Sequence, residues 1–377
     1  MFDSHRRVRG RSLVLAIAAV LAGVSISVPV DVSAASAPTW MMIESAGDVG
    51  GTTPSTLVTY DAADGYLLLA RGYPSTSMTF SGGRWTNVSL ATYPGLGSGG
   101  MTYDAADGYV VYQGGTGSPH WDHMTGDTVK FAAGQWVGLT PSGTPRCCEL
   151  MAYDESSGNV VMFGGYDGPL GSQPLNDTWT YRGGTWTPVT PAVSPPLSAS
   201  AGSMAYDSAD GYTVLFGGTD CSRSNCTFLD ETWTFSSGRW TKSSPLISPS
   251  PRAWASMAYD AANGYVLLFG GWGPQGATLD DTWSFHDGEW VQLDPAASPS
   301  PRAAAPVSYD PGSSRVVMVG GFNGSTSYGE TWAYGAPPGP TFAYPLVLAV
   351  SLVILATAVG LYLVVARNRA RRQDRAR

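Results

Sequence analysis

Five carboxylates stand directly before a threonine at a nearly constant interval: Asp127, Asp177, Glu231, Asp281 and Glu330. Carboxylates gathered at one level could bind cations or exchange protons as acids and bases. Because they recur almost throughout, they could equally hold loop amides or arginines in place. Three arginines keep the same interval, Arg146, Arg252 and Arg302, each seven residues before a tyrosine. Their planar forks could clamp a sugar-acid carboxylate bidentately, or bond to a carboxylate of the fold.

Between the two hydrophobic ends the histidines are His120, His123 and His286. The stretch His120-Trp121-Asp122-His123, with Asp127 close behind, could be a metal half-site, but two ligands in one loop also fit simple loop polarity. No catalytic residue, metal site or cofactor is assigned from it. Cys147 and Cys148 are adjacent, and Cys221 and Cys226 flank a short loop. In an exported chain these are disulfide candidates. A Cys221–Cys226 bridge would contribute about 2 kcal/mol through chain entropy. A bridge from that loop to Cys147 or Cys148 is the rival pairing. The spacing is not that of a usual zinc site.

The elements that must position these groups are repeated. Tyr-Asp pairs fall at Tyr60-Asp61, Tyr103-Asp104, Tyr153-Asp154, Tyr206-Asp207, Tyr259-Asp260 and Tyr309-Asp310. Gly pairs at 114–115, 164–165, 217–218, 270–271 and 320–321 keep that step, as do the tryptophans Trp179, Trp233, Trp283 and Trp332 of D/E-T-W. A further series, Trp85, Trp136, Trp186, Trp240 and Trp290, follows Gly-x. Within one unit, 253–259 predicts a small-residue inner strand and 260–264 a turn. Residues 265–269 form an apolar strand covered on both faces. The Gly pair then opens a long loop before an aromatic strand over 281–285 and an outer strand over 290–293.

These units resemble kelch repeats in their Gly pairs, aromatic third strands, Gly-x-Trp outer strands and the arginine at the repeat start. The resemblance covers about residues 39–335, and a period near fifty is that of kelch blades. Unit 1 departs from the pattern with Ala70-Arg71-Gly72 at the Gly pair and Met78 in place of the third-strand Trp; unit 2 has Val129 there. The resemblance implies an all-β fold, a six-bladed propeller over 38–335. The sixth unit stops after Glu330-Thr-Trp-Ala-Tyr334, and the outer strand it lacks stands at 39–43. The N-terminal strand is therefore predicted to complete the last blade and remove an exposed sheet edge.

Some kelch-like propellers are copper oxidases, sialidases or sugar isomerases. The separated histidines of the first and the repeated box of the second are missing here, as are a nucleophile elbow and a P-loop. The expectation is a binding module for a glycan or a protein. A sugar-acid isomerase or hydrolase and a structural envelope component are the alternatives. The long loops place Tyr73, His120, Trp121, Tyr166, Trp272 and Phe322 on the face expected to carry Arg146, Arg252 and Arg302. Aromatic rings there would stack on sugars or anchor an interface.

The two ends predict location. Residues 1–11 are arginine-rich, 12–30 are largely apolar, and Ser33, Ala34 and Ala35 follow, which is the layout of a signal peptide over 1–35. An uncleaved anchor is the alternative. Residues 346–366 carry no charge, enough for a transmembrane helix. Six arginines follow in 367–377, which predicts a cytoplasmic tail. A removable sorting signal is the alternative there. A Pro-rich linker over 336–345 joins helix and propeller. The expected location is the cell membrane, single-pass, with the propeller outside. Between the hydrophobic ends lie 11 of the 21 basic residues and 26 of the 29 acidic ones, a formal charge near −15. That sign excludes nucleic acid as a partner.

Overall fold

The Tyr-Asp pair works as a turn. In Asp207-Ser-Ala-Asp-Gly211 the Asp207 Oδ1 accepts the N–H groups of Ala209 and Asp210 at 3.0 and 3.3 Å, and Gly211 takes φ +76°. The side chain thereby mimics a backbone turn, and glycine supplies the left-handed residue without steric cost. Each such turn joins an inner strand to a fully buried second strand. Repetition of this hairpin builds the molecule.

The computed structural model describes residues 37–337 except 45–48, 50–51, 53–54, 73–75, 89–96, 117–123, 141–142, 169–173, 197–200 and 221–226; it also describes 16–17, 26–27 and 367. Six four-stranded antiparallel sheets follow one another. Blade 1 comprises Thr56–Asp61, Tyr66–Arg71, Thr76–Ser81 and Arg84–Asn87. Blade 2 comprises Gly100–Asp104, Tyr109–Gln113, Thr128–Ala132 and Gln135–Leu139. Blade 3 comprises Leu150–Asp154, Asn159–Tyr166, Pro174–Arg182 and Thr185–Val189. Blade 4 comprises Ser203–Asp207, Tyr212–Phe216, Thr232–Ser236 and Arg239–Lys242. Blade 5 comprises Ser256–Asp260, Tyr265–Trp272, Thr278–His286 and Glu289–Leu293. Blade 6 takes Val307–Asp310, Arg315–Phe322 and Ser327–Gly335 from the end of the chain and Thr39–Glu44 from its beginning. The predicted closing strand is therefore in place, with Trp40 opposite Tyr334. The inner strand expected over 253–259 begins only at Ser256, because Trp254 takes φ +50° and breaks the extended run.

The core lies between blades. Val214, Phe216, Val266, Leu268, Phe285 and Trp290, from blades 4 and 5, form one apolar cluster. The D/E-T-W motif and the outer tryptophan then lock each blade to the one before it. Trp85, Trp136, Trp186, Trp240, Trp290 and Trp40 donate their indole N–H to Thr331, Ser77, Thr128, Thr178, Thr232 and Thr282, at 2.9–3.1 Å. All six acceptors are buried. The six bonds run once around the ring; Trp85 to Thr331 is the one that an open row of blades would lack, and Trp40 gives blade 6 its outer tryptophan. Thr282→Val would keep the shape and leave the Trp40 N–H buried without an acceptor. The expected loss is about 1–3 kcal/mol in urea denaturation; an unchanged midpoint would show that water replaces the hydroxyl.

The signal segment expected over 1–35 and the transmembrane helix expected over 346–366 fall almost wholly outside the described residues. Ala16–Ile17 and Ile26–Ser27 pair as two short antiparallel strands. Among the described residues no helix is long and apolar enough to cross a membrane. Pro337–Arg377 form a compact unit separate from Met1–Ala336.

Candidate functional site

The repeated arginines are built into the frame. Arg252 sends Nη1 to Gly270 O at 2.9 Å and to Asp281 Oδ1 at 2.6 Å, Nη2 to Asp281 Oδ2 and Ser250 Oγ, and Nε to Ser250 O. Arg146 likewise reaches Gly164 O and both oxygens of Asp177, with Nε and Nη2 on the Thr144 hydroxyl. Arg302 reaches Gly320 O through Nη1, Glu330 Oε1 and Ser300 Oγ through Nη2, and Ser300 O through Nε. All three are at most 2% exposed. Their main chains reach the preceding blade instead: Gly115, Gly218 and Gly271 donate N–H to the carbonyls of Arg146, Arg252 and Arg302 at 2.8–2.9 Å. A Cβ on Gly270 would lie 2.5 Å from Arg302 O, so the Gly pair is the place where consecutive blades touch. The expectation that these arginines clamp a ligand is therefore corrected, because each guanidinium is buried and bonded within its own blade.

Burial works against charge on Asp177, Asp281 and Glu330, yet the facing arginines hold all three carboxyls below the usual range. Asp177, Glu231 and Asp281 also accept the indole N–H two residues on, from Trp179, Trp233 and Trp283. Glu231 pairs with Lys242 instead of an arginine among the described residues.

What is open to a ligand lies just outside these arginines. In blades 3, 5 and 6 the residue after the Gly pair exchanges two backbone hydrogen bonds with the residue after the arginine: Tyr166 with Cys147, Trp272 with Ala253 and Phe322 with Ala303. That pairing brings the loop onto the connector, at the end of the blade opposite the Asp turns. There Trp272 and Phe322 stack at 5.7 Å with 25° between their planes, and Trp254 meets Trp272 edge-on at 6.4 Å. Trp254 is 44% exposed. Its N–H donates to Ala201 O of the blade 4 connector, and its carbonyl accepts the N–H of Ala304. The connectors thus hold this ledge rigidly. Sequence reasoning placed Trp272 and Phe322 on one face and missed Trp254. The signal was available, since Ala304 stands at the equivalent position and a large aromatic there has no packing role in the repeat.

Between blades 2 and 3 the same face hides a second departure from the pattern. Glu149 stands where blades 5 and 6 have Ala255 and Ala305 and blades 2 and 4 have Gly99 and Gly202. It is 4% exposed; Oε1 accepts the Gly100 N–H at 3.0 Å, and Oε2 has no partner among the described residues. Burial pushes its carboxyl up to about 8, against the pull of backbone N–H groups and Arg146. A charge where blades 2, 4, 5 and 6 have only glycine or alanine was the signal for it. Beside it, Cys147 and Cys148 are both free thiols, and the Cys148 thiol donates to Cys147 Sγ at 3.2 Å. The disulfide expectation for these two is corrected accordingly. Tyr166 occupies its aromatic position in blade 3, two blades from Trp272. Tyr73, His120, Trp121, His123, Cys221 and Cys226 lie outside the described residues.

Six sheets of four antiparallel strands, sealed by the first strand of the propeller and displaying long loops and connectors on one face, define a six-bladed β-propeller. Residues 150–336, which are blades 3 to 6, match the family described as the KLHDC2/KLHL20/DRC7 Kelch-repeats domain. Blades 3 to 6 are thus similar to kelch repeats, within a ring of six blades. Comparison with curated proteins finds no match.

Proposed function

We propose that the chain is a membrane-anchored interaction module that takes a protein ligand on the face carrying Trp254, Trp272 and Phe322. The observation behind this is Trp254: a large, partly exposed aromatic held at φ +50° in a connector where another blade carries alanine. Rigid aromatics of this kind anchor interfaces at small entropic cost. Kelch propellers serve as protein-interaction modules, which favours a protein over a glycan. The stacked pair Trp272–Phe322 supports the second reading, a sugar face against the rings. Anchorage rests on the uncharged run 346–366 with its arginine flank, and export on the layout of 1–35.

The test is a binding screen of the full chain against arrayed surface proteins and arrayed glycans. Saturable binding to a protein is expected, weakened at least tenfold by Trp254→Ala, with an unchanged thermal melt. Full-strength binding by both Trp254→Ala and Trp272→Ala would overturn the reading, and binding to glycans alone would replace it with the second.

A further inference from the structure

We propose that Asp207, Asp210 and His286 form a divalent-cation site of the zinc type across the seam between blades 4 and 5. One carboxylate oxygen of each aspartate and one ring nitrogen of the histidine lie within 4.8 Å of one another. His286 Nδ1 and Asp210 Oδ1 are 3.7 Å apart. That is too far for a hydrogen bond, and close to the roughly 3.4 Å between neighbouring ligands around tetrahedral zinc with bonds of ~2.0–2.1 Å.

The atoms left over point the same way. Asp207 is fully buried, its Oδ1 is taken by the turn, and its Oδ2 has no hydrogen-bond partner among the described residues. Asp210 Oδ2 accepts the Tyr212 hydroxyl at 2.7 Å and the Asp287 N–H at 2.8 Å. Those two bonds orient the carboxylate and leave Oδ1 toward the imidazole. On the far side of the ring, His286 Nε2 lies 3.3 Å from Asp287 Oδ2. A carboxylate behind the non-ligating nitrogen is the arrangement that fixes a metal-binding histidine's tautomer. Water would complete the shell, since His286 is half exposed.

The other blades supply internal controls. Where the fourth turn residue is Ser157, Asn263 or Ser313, it donates to Oδ2 of Asp154, Asp260 or Asp310 at 2.7–2.8 Å. Blades 1 and 2 have aspartate at that place, Asp64 and Asp107, and there the Oδ2 atoms of Asp61 and Asp104 also lack partners. Neither has an imidazole opposite: the positions equivalent to His286 on the following blades are Ala132 and Arg182, and Arg182 bonds to Ser157 O. The chemistry of an imidazole with two carboxylates suits a borderline first-row cation better than calcium or magnesium.

The experiment titrates zinc chloride into the EDTA-treated full chain by calorimetry, with a thermal melt at each point. Wild type is expected to bind one zinc more than His286→Gln does and to melt several degrees higher when loaded. Asp210→Ser is the second variant. It copies the serine of blades 3 and 6, which would give Asp207 Oδ2 a hydroxyl partner and preserve the turn. Its own metal-free melt, lowered by loss of the bonds from Tyr212 and Asp287, is the baseline, and zinc should bind its extra site at least tenfold more weakly. Equal zinc stoichiometry and melting shift in wild type and both variants would overturn the site, as would wild type that binds calcium in preference to zinc.

Discussion

Replacing Arg252 by alanine is expected to destabilise the propeller by about 3 kcal/mol, and no ligand needs to be present for the effect. The guanidinium is buried, while the Asp281 side chain remains 22% exposed. Truncation would leave that carboxylate with the Trp283 indole N–H but without its guanidinium, and would take the guanidinium donor from the Gly270 carbonyl. Removing one partner of a buried pair costs about 3–5 kcal/mol, and the exposure of Asp281 puts this case at the lower end. Urea denaturation followed by tryptophan fluorescence measures it. Removing both charges, as in Arg252→Met with Asp281→Leu, should recover most of the loss, because the cost lies in the orphaned charge. A loss below about 0.5 kcal/mol for Arg252→Ala, typical of a surface position, would mean that the network is not closed and would restore the arginine as a ligand clamp.

Raising the pH from 5 to 8 is expected to destabilise the fold, and Glu149→Gln to remove most of that dependence. Burial raises the Glu149 carboxyl from the ordinary glutamate value to about 8. Between those limits the folded chain keeps a proton that the unfolded chain has released. Stability is then fully present below the ordinary glutamate pKa and is lost as pH rises through about 8. The slope is up to about 1.4 kcal/mol per pH unit. Asp177, Asp281 and Glu330 act in the opposite sense. Their carboxyls are depressed, so their contribution holds above the ordinary carboxylate range and is lost on acidification. The stability optimum should accordingly lie on the acid side of neutrality. Thermal melts of wild type and Glu149→Gln should coincide near pH 4.5 and separate by about 3 kcal/mol at pH 8, with the variant the more stable. Parallel curves across that range would show that Glu149 is ionised in the fold.

The frame was legible in the sequence because its interactions repeat. Tyr-Asp, Gly-Gly, D/E-T-W and Gly-x-Trp each answer one geometric need of every blade. Their common register gave the number of blades, and the missing outer strand of the sixth gave the role of residues 39–43. The arginines were harder, since a buried guanidinium with a bonded partner and an exposed one awaiting a ligand have the same spacing. Only the distances to Asp177, Asp281 and Glu330 separate the two. Trp254 and Glu149 were passed over because attention to what recurs hides what does not. The Asp207–Asp210–His286 group was invisible for another reason: its members belong to two blades, and two of them lie in a turn that looks like every other.

Thr39–Glu44 pairs with Ser327–Gly335, so the first propeller strand to leave the ribosome must wait for the last. Trp40 and Thr282 are separated by 242 residues, and Trp85 and Thr331 by 246. Blades 2 to 5 can each fold as their hairpins emerge, yet the seam stays open throughout synthesis, with an unpaired strand edge on each side. A chain stopped anywhere short of blade 6 is thus not a smaller propeller. It is an open arc with two adhesive ends, and a chaperone that recognises such edges could distinguish a finished molecule from an interrupted one.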